Sequence, residues 1–273
     1  PLAQHEGIAQ MIEHNHLLYQ DMQDPLQFLN NAWSGGMAEY WPYAHEKPAV
    51  AMPASEVDKF TRYSQLMAAS QGFVVQEILS SYFFDEHRCV LDVGAGKGRF
   101  VSELAAHAPH LKFKMFDLPP VLELASEGLQ AKGLGDRVAL HPGSFLDDSL
   151  PEGADLITLV RVAHDHPDAV VRQILQKAYA ALPLGGVLLL AEPMAQPDEE
   201  AGQPEASVDA YFHFYLLAMG AGRLRTPQEL QNMMQEAGFT HVEQVPNAMP
   251  IHARILVGRK SQCLPLVSEK SVN

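Results

Sequence analysis

The chain has 273 residues, 47% of them hydrophobic, enough to bury a full core and suited to one large α/β domain with an extension. Its 33 acidic residues outnumber 19 Lys plus Arg, for a formal charge of −14, so nucleic acid meets net repulsion and is excluded as a partner. Two cysteines, Cys89 and Cys263, make no disulfide framework, and no apolar run approaches the roughly 20 residues that span a bilayer; a cytoplasmic protein without a transmembrane segment is expected.

In chain order, the sequence opens on Pro1 and runs into Gln4, His5 and Glu6 without a signal-peptide pattern, which reads as a truncated or processed product. From Ala3 to Tyr19 the residues Ile8, Met11, Ile12, Leu17 and Leu18 recur near helical spacing, and Asp24 followed by Pro25 reads as a cap with proline in the first turn of a second helix. Ser34, Gly35 and Gly36 break the pattern, and Trp41, Pro42, Tyr43 and Pro48 suit an irregular connection. Ser55 then caps a long helix to about Phe83, on which Tyr63 and Met67, four apart, share a face. Residues 1–84 are therefore read as a mostly helical region that caps a site and pairs two subunits.

Beyond Asp85, strand and helix alternate. Apolar strands are expected at Cys89–Val93, Phe113–Phe116, Val138–Leu140, Leu156–Val162 and Val187–Ala191, with helices at Phe100–Ala108, Val121–Lys132 and Asp168–Leu182. Such alternation predicts an α/β fold, a mostly parallel Rossmann-like sheet covered on both faces, and its last strand is expected to run antiparallel. Val208 to Gly220 is apolar nearly all round, which predicts a helix buried on several sides. Its Phe212, Tyr215 and Met219, with Tyr63 and Met67, are candidate walls of an apolar pocket. After Thr226 and Pro227 an amphipathic helix leads to Gly238, followed by strands near Thr240–Val245 and His252–Gly258. Residues 85–260 form the main domain on this reading, and 261–273 a tail.

The segment from Val90 to Gly98 (VLDVGAGKG) is a buried strand ending in a glycine-rich turn that opens a helix, the place where doubly wound sheets bind ligands. Gly94 and Gly96 let the backbone approach a ligand, and Asp117, twenty-three residues after Gly94 at the end of the next strand, can accept both ribose hydroxyls of an adenosine. A phosphate loop needs Ser or Thr after its Gly-Lys, whereas Lys97 is followed by Gly98 and reads as a solvated charge. A dinucleotide fingerprint sets its third glycine one position later. S-adenosylmethionine, which has no phosphate to neutralise, fits the turn; an NAD(P)-dependent oxidoreductase is the alternative enzyme.

Together with Phe116-Asp117-Leu118-Pro119, Gly143-Ser144-Phe145, His164-Asp165, Leu182-Pro183-Leu184-Gly185-Gly186 and Glu192, the chain from about Phe60 to Lys260 resembles the class I methyltransferases, specifically the plant-type small-molecule O-methyltransferases. Within them it is most similar to the bacterial carotenoid enzymes, the hydroxyneurosporene or demethylspheroidene O-methyltransferases. The segments carrying that likeness are Arg62 to Met67, Ser70-Gln71, Arg161 to Asp168 and Tyr215 to Gly220. The resemblance implies that Asp117 and Leu118 hold the ribose side of S-adenosylmethionine, that Ser144 and Phe145 border the adenine, and that Arg161 also serves the cofactor. It further implies a homodimer, an N-terminal region left over from a larger dimerisation domain, a small apolar hydroxylated substrate, and peripheral contact with a membrane that stores it. Two positions depart from the family pattern: Ser144 replaces an Asp, which makes the adenine contact neutral, and Leu224 replaces a Glu, which leaves His164 short of one orienting carboxylate.

Methyl transfer from a sulfonium needs the nucleophile held in near-attack geometry and one proton removed, with no metal. His164, just past the fourth strand, is the candidate base, since an imidazole titrates near 6.5 in water. Glu192, ending the neighbouring strand, is placed to bond the far ring nitrogen, and Asp165 completes the catalytic candidates. The same segment also reads as a plain loop in which Asp165 or Asp168 caps the next helix, with His166 structural. Carotenoid alcohols, phenols and polyketide hydroxyls all suit the pocket. A scaffold that keeps the fold without catalysis stands as the non-enzymatic reading.

Overall fold

Apolar runs on both sides of each glycine or proline turn dictate the architecture seen in the computed structural model, which describes residues 6–31, 36–40, 71–196, 206–220, 222–250 and 253–261. Seven strands, β1 (Cys89–Val93), β2 (Lys112–Asp117), β3 (Val138–Pro142), β4 (Leu156–Val160), β5 (Val187–Glu192), β6 (Thr240–Val245) and β7 (Arg254–Arg259), form one sheet in the order β3-β2-β1-β4-β5-β7-β6. Strands β1 to β5 are parallel, and β7 is antiparallel to both β5 and β6. The mostly parallel sheet with an antiparallel last strand is as the sequence predicts. The strand order reverses between β1 and β4, the switch point at whose carboxyl ends doubly wound sheets bind ligands.

Successive strand residues point to opposite faces, so the sheet carries two cores. Val90, Phe113, Leu156 and Leu189 face α4 (residues 71–81), α5 (Arg99–His107) and α6 (Pro119–Ala131), whereas Leu91, Ile157 and Leu188 face α7 (Asp168–Ala181) and α9 (Pro227–Glu236). Each aliphatic side chain so buried stabilises the fold by about 1.5–3 kcal/mol. A third cluster is separate: Leu18, Phe28 and Met37 of α1 (Glu6–Asp21), α2 (Pro25–Asn31) and α3 (Gly36–Tyr40) pack on Ala218 and Met219 of α8 (Ala206–Met219).

Local signals give the helix ends. Asp24 Oδ1 accepts from the N–H groups of Leu26 and Gln27 at 3.1 and 3.0 Å, which starts α2 at Pro25. Thr226 and Glu229 form a reciprocal capping box at the start of α9. Three expectations change. Strand β4 stops at Val160, two residues early, because Arg161 turns left-handed at φ 58°. Helix α8 is not buried all round: Tyr211, Phe214 and Leu217 are 37–39% exposed along one stripe. Lys97 is half-buried rather than solvated. Ser55, Tyr63, Met67 and Cys263 lie outside the described residues. Among those described, no helix is long and apolar enough to cross a membrane.

Candidate active site

Strand β1 ends in a turn whose glycines answer to two different demands. A Cβ on Gly94 would lie 2.7 Å from Val162 Cγ2, so this glycine admits the neighbouring turn after β4. A Cβ on Gly96 would meet nothing within 4 Å, although φ is 55°, so here the backbone faces open space at the crevice. Gly96 N–H donates to Asp117 Oδ2 at 2.8 Å and Leu118 N–H to Oδ1 at 2.7 Å. Burial raises the Asp117 carboxyl to about 6 against the pull of those two N–H groups. Each oxygen keeps a lone pair free of these bonds.

The loop after β3 lies alongside, since Gly143 N–H donates to Asp117 O at 3.0 Å. Ser144 turns inward on its own loop: its Oγ accepts from Leu146 N–H at 3.2 Å and its N–H donates to Asp148 Oδ2 at 2.9 Å. Lys177 of α7 braces the loop, donating to the carbonyls of Phe145, Leu146 and Asp148 at 2.8, 3.0 and 2.8 Å. Phe145 meets His166 edge-on, with ring centroids 5.1 Å apart.

On the other side of β1 the site rests on a short turn, Ala163–Asp165, that follows β4. Glu192, 1% exposed at the end of β5, accepts through Oε1 from Val162 and Ala163 N–H at 2.7 and 2.8 Å. Its Oε2 lies 2.7 Å from His164 Nδ1 and accepts from His164 N–H at 3.3 Å. Asp165 Oδ1 stands 3.1 Å from His164 Nε2. The buried imidazole therefore has a carboxylate on each side, Glu192 at Nδ1 and Asp165 at Nε2; Leu224 itself is buried. Burial raises the Asp165 carboxyl to about 6, with His164 opposing. Phe212 tilts over His164 with centroids 5.6 Å apart and stacks on Tyr215 at 5.4 Å. Met219 is buried in the helical cluster with Leu18 and Phe28. Arg161 sits half-buried between β4 and the turn, its N–H on Ala191 O at 2.8 Å.

Three residues escape a reading from the sequence, and Asp168, expected as a helix cap, takes another role. Asp92, 2% exposed within β1, faces Thr158 across the β1–β4 register and accepts its hydroxyl at 2.7 Å. Burial lifts its carboxyl to about 7, and the Asp117 charge adds to the rise. His14 of α1 bonds the Tyr215 hydroxyl at 2.8 Å through Nε2, tying the first helix to the aromatic wall. Asp168 caps nothing with its side chain; Arg223 and Arg225 grip it instead and hold its carboxyl down at about 2. Arg225 is the third, and no sequence signal marked it. His166 is half-buried, and burial lowers its imidazole to about 4.

Comparisons with known proteins bear on this geometry. Residues 19–240 match the family model described as an O-methyltransferase domain. The chain is 39% identical over 252 residues to demethylspheroidene O-methyltransferase of Rhodobacter capsulatus, covering 92% of this chain and 60% of that protein. Among solved structures, the mitomycin 7-O-methyltransferase MmcR superposes with a TM-score of 0.77 at 21% identity, over 94% of this chain and 73% of that one. Human N-acetylserotonin methyltransferase, solved in complex with SAM, gives 0.67 at 21% identity, over 86% and 69%. These two likenesses concern the fold.

Proposed function

The chain belongs to the O-methyltransferase domain family, and on that premise we propose that it moves a methyl group from S-adenosylmethionine to a hydroxyl of a small apolar molecule, a hydroxylated carotenoid. One observation carries the reading: an open glycine turn with Asp117 and a carboxylate-held His164 flank the same strand end. The chain spans 60% of the length of the R. capsulatus relative, whose named activity supports the carotenoid acceptor.

The residues present fit the cofactor. Gly96 leaves the backbone accessible, Asp117 has lone pairs for two ribose hydroxyls, and the base would extend from β2 toward β3, against Leu118, Ser144 and Phe145. Gly94 shapes the same turn, and Arg161 borders it. When bound, S-adenosylmethionine supplies an electrophilic methyl on a sulfonium. His164 takes the hydroxyl proton at Nε2, where Asp165 now stands, and Glu192 compensates the charge that the ring acquires. Asp165 must yield that position to the hydroxyl or share its proton. A tertiary alcohol is a weak acid, so holding it in near-attack geometry contributes more than the base does. Phe212 and Tyr215 wall the acceptor space, and Tyr63 and Met67 are assigned to it on their helical spacing; Met219, packed against Leu18 and Phe28, supports that wall from behind.

Residues 1–84 cap the site and pair two copies in this reading, residues 85–260 carry the chemistry, and 261–273 form a tail. Ile12, Tyr19, Leu26 and Leu29, all more than half exposed on α1 and α2, support the homodimer. Two cysteines in 273 residues support a reducing cytoplasm. The test is a titration with S-adenosylhomocysteine and a mass-spectrometric assay with demethylspheroidene. Wild type should bind the first and add one methyl to the second; His164→Ala should retain binding and lose about 10²- to 10⁴-fold in turnover. Absence of both binding and turnover in the wild type sinks the proposal.

A further inference from the structure

The turn that carries His164 is held from two sides. Glu192 takes the N–H groups of Val162, Ala163 and His164. From the opposite direction, residues 222–225 take the carbonyls. Arg223 N–H donates to His164 O at 2.9 Å, Arg225 Nη1 to Ala163 O at 2.8 Å and Arg225 Nη2 to His166 O at 2.7 Å. Gly222 lets the two segments close: at φ +78°, a Cβ there would fall 2.1 Å from His164 O.

Arg225 is 2% exposed, and its charge is answered by Asp168, which accepts from Nε and Nη2 at 3.0 and 2.8 Å. Burying a guanidinium is costly, and an apolar side chain of similar volume would join two segments at lower cost. An apolar side chain cannot aim two carbonyls on either side of one residue. The rigid fork of donors on arginine can, and lysine, a point charge on a flexible stem, reaches fewer partners in fixed directions.

We propose that Arg225 is a positioning residue for proton removal: it fixes the main chain on both sides of His164, and so the direction from which the imidazole meets the acceptor hydroxyl. This rests on reading His164 as the base. Asp168 completes the device, because it also accepts from Arg223 Nε and Nη2, both at 3.0 Å, and thereby ties both arginines to the start of α7.

Arg225→Lys and Asp168→Asn, the second leaving Arg225 in place, test the proposal through three measurements. Both variants should bind S-adenosylhomocysteine, and hold the KM for demethylspheroidene, within about twofold of wild type, because neither residue touches those surfaces. Turnover should fall by about 10- to 100-fold in Arg225→Lys and less in Asp168→Asn, as expected when a base is displaced by an ångström. Amide exchange of residues 162–166 should quicken by about tenfold with other segments unchanged. Unchanged turnover in Arg225→Lys overturns the proposal, as does a matched loss of binding, turnover and global stability, which marks an ordinary packing role. If the wild type binds S-adenosylhomocysteine yet leaves demethylspheroidene unmethylated, the acceptor assignment fails instead. Exchange at 162–166 then decides: local quickening supports the clamp, and none refutes it.

Discussion

Asp92 is a carboxyl at the centre of a parallel sheet and accepts the Thr158 hydroxyl. Its folded value of about 7 lies above the ordinary 3.8, so the folded chain binds this proton more tightly than the unfolded chain does. The contribution to stability is then full below about pH 4 and is lost as pH rises to about 7, by ~1.4 kcal/mol per unit. Asn at this position keeps the acceptor for Thr158 and carries no charge. Asp92→Asn should therefore unfold at a higher temperature than wild type at pH 8, with the gap closing toward pH 4; calorimetry across that range checks it, and a gap that grows on acidification contradicts the assignment. Asp92 was hidden in the sequence because it sits inside an apolar run, where a reader sees only Val90, Leu91 and Val93. His164 and Glu192 were legible because one follows and the other ends a strand at the ligand edge. That Asp165 flanks Nε2 of His164 was not, since it depends on how one loop turns.

At the scale of elements, what could be read was what is local. Asp24 with Pro25, and Thr226 with Pro227 and Glu229, fix helix starts through neighbours within three residues. Strand β4 was misjudged because Val162 resumes the apolar pattern past Arg161, whereas the left-handed turn at Arg161 and the pull of Glu192, thirty positions beyond Val162, take residues 162–164 out of the ladder. Lys177 is a similar case: a helix lysine with no local mark in the sequence spends its ammonium on three carbonyls of the loop after β3. Lys177→Met should release that loop and weaken S-adenosylhomocysteine about tenfold, the worth of one charge-assisted hydrogen bond, while the acceptor KM holds. Calorimetric titration measures the first and steady-state kinetics the second.

For the molecule as a whole, the two sheet cores and the helical cluster of α1, α2, α3 and α8 divide the labour. The cofactor edge is built on the sheet, whereas the aromatic wall on α8 leans on Leu18, Phe28 and Met37. Leu18→Ala, at a fully buried position, should cost about 2–5 kcal/mol of packing. It should raise the acceptor KM and leave S-adenosylhomocysteine affinity unchanged. Equal loss of both would mean that the cluster and the sheet act as one body. The two-sided grip on the His164 turn also has a kinetic meaning. Gly96 and Asp117 are 21 residues apart, but His164 waits for Glu192 at 28, and Ala163 for Arg225 at 62. Longer loops close later on the way to the native state. During refolding from denaturant, nucleoside binding should return ahead of methyl transfer, and the interval between the two is the time the chain takes to come back from α8 and lock its last turn.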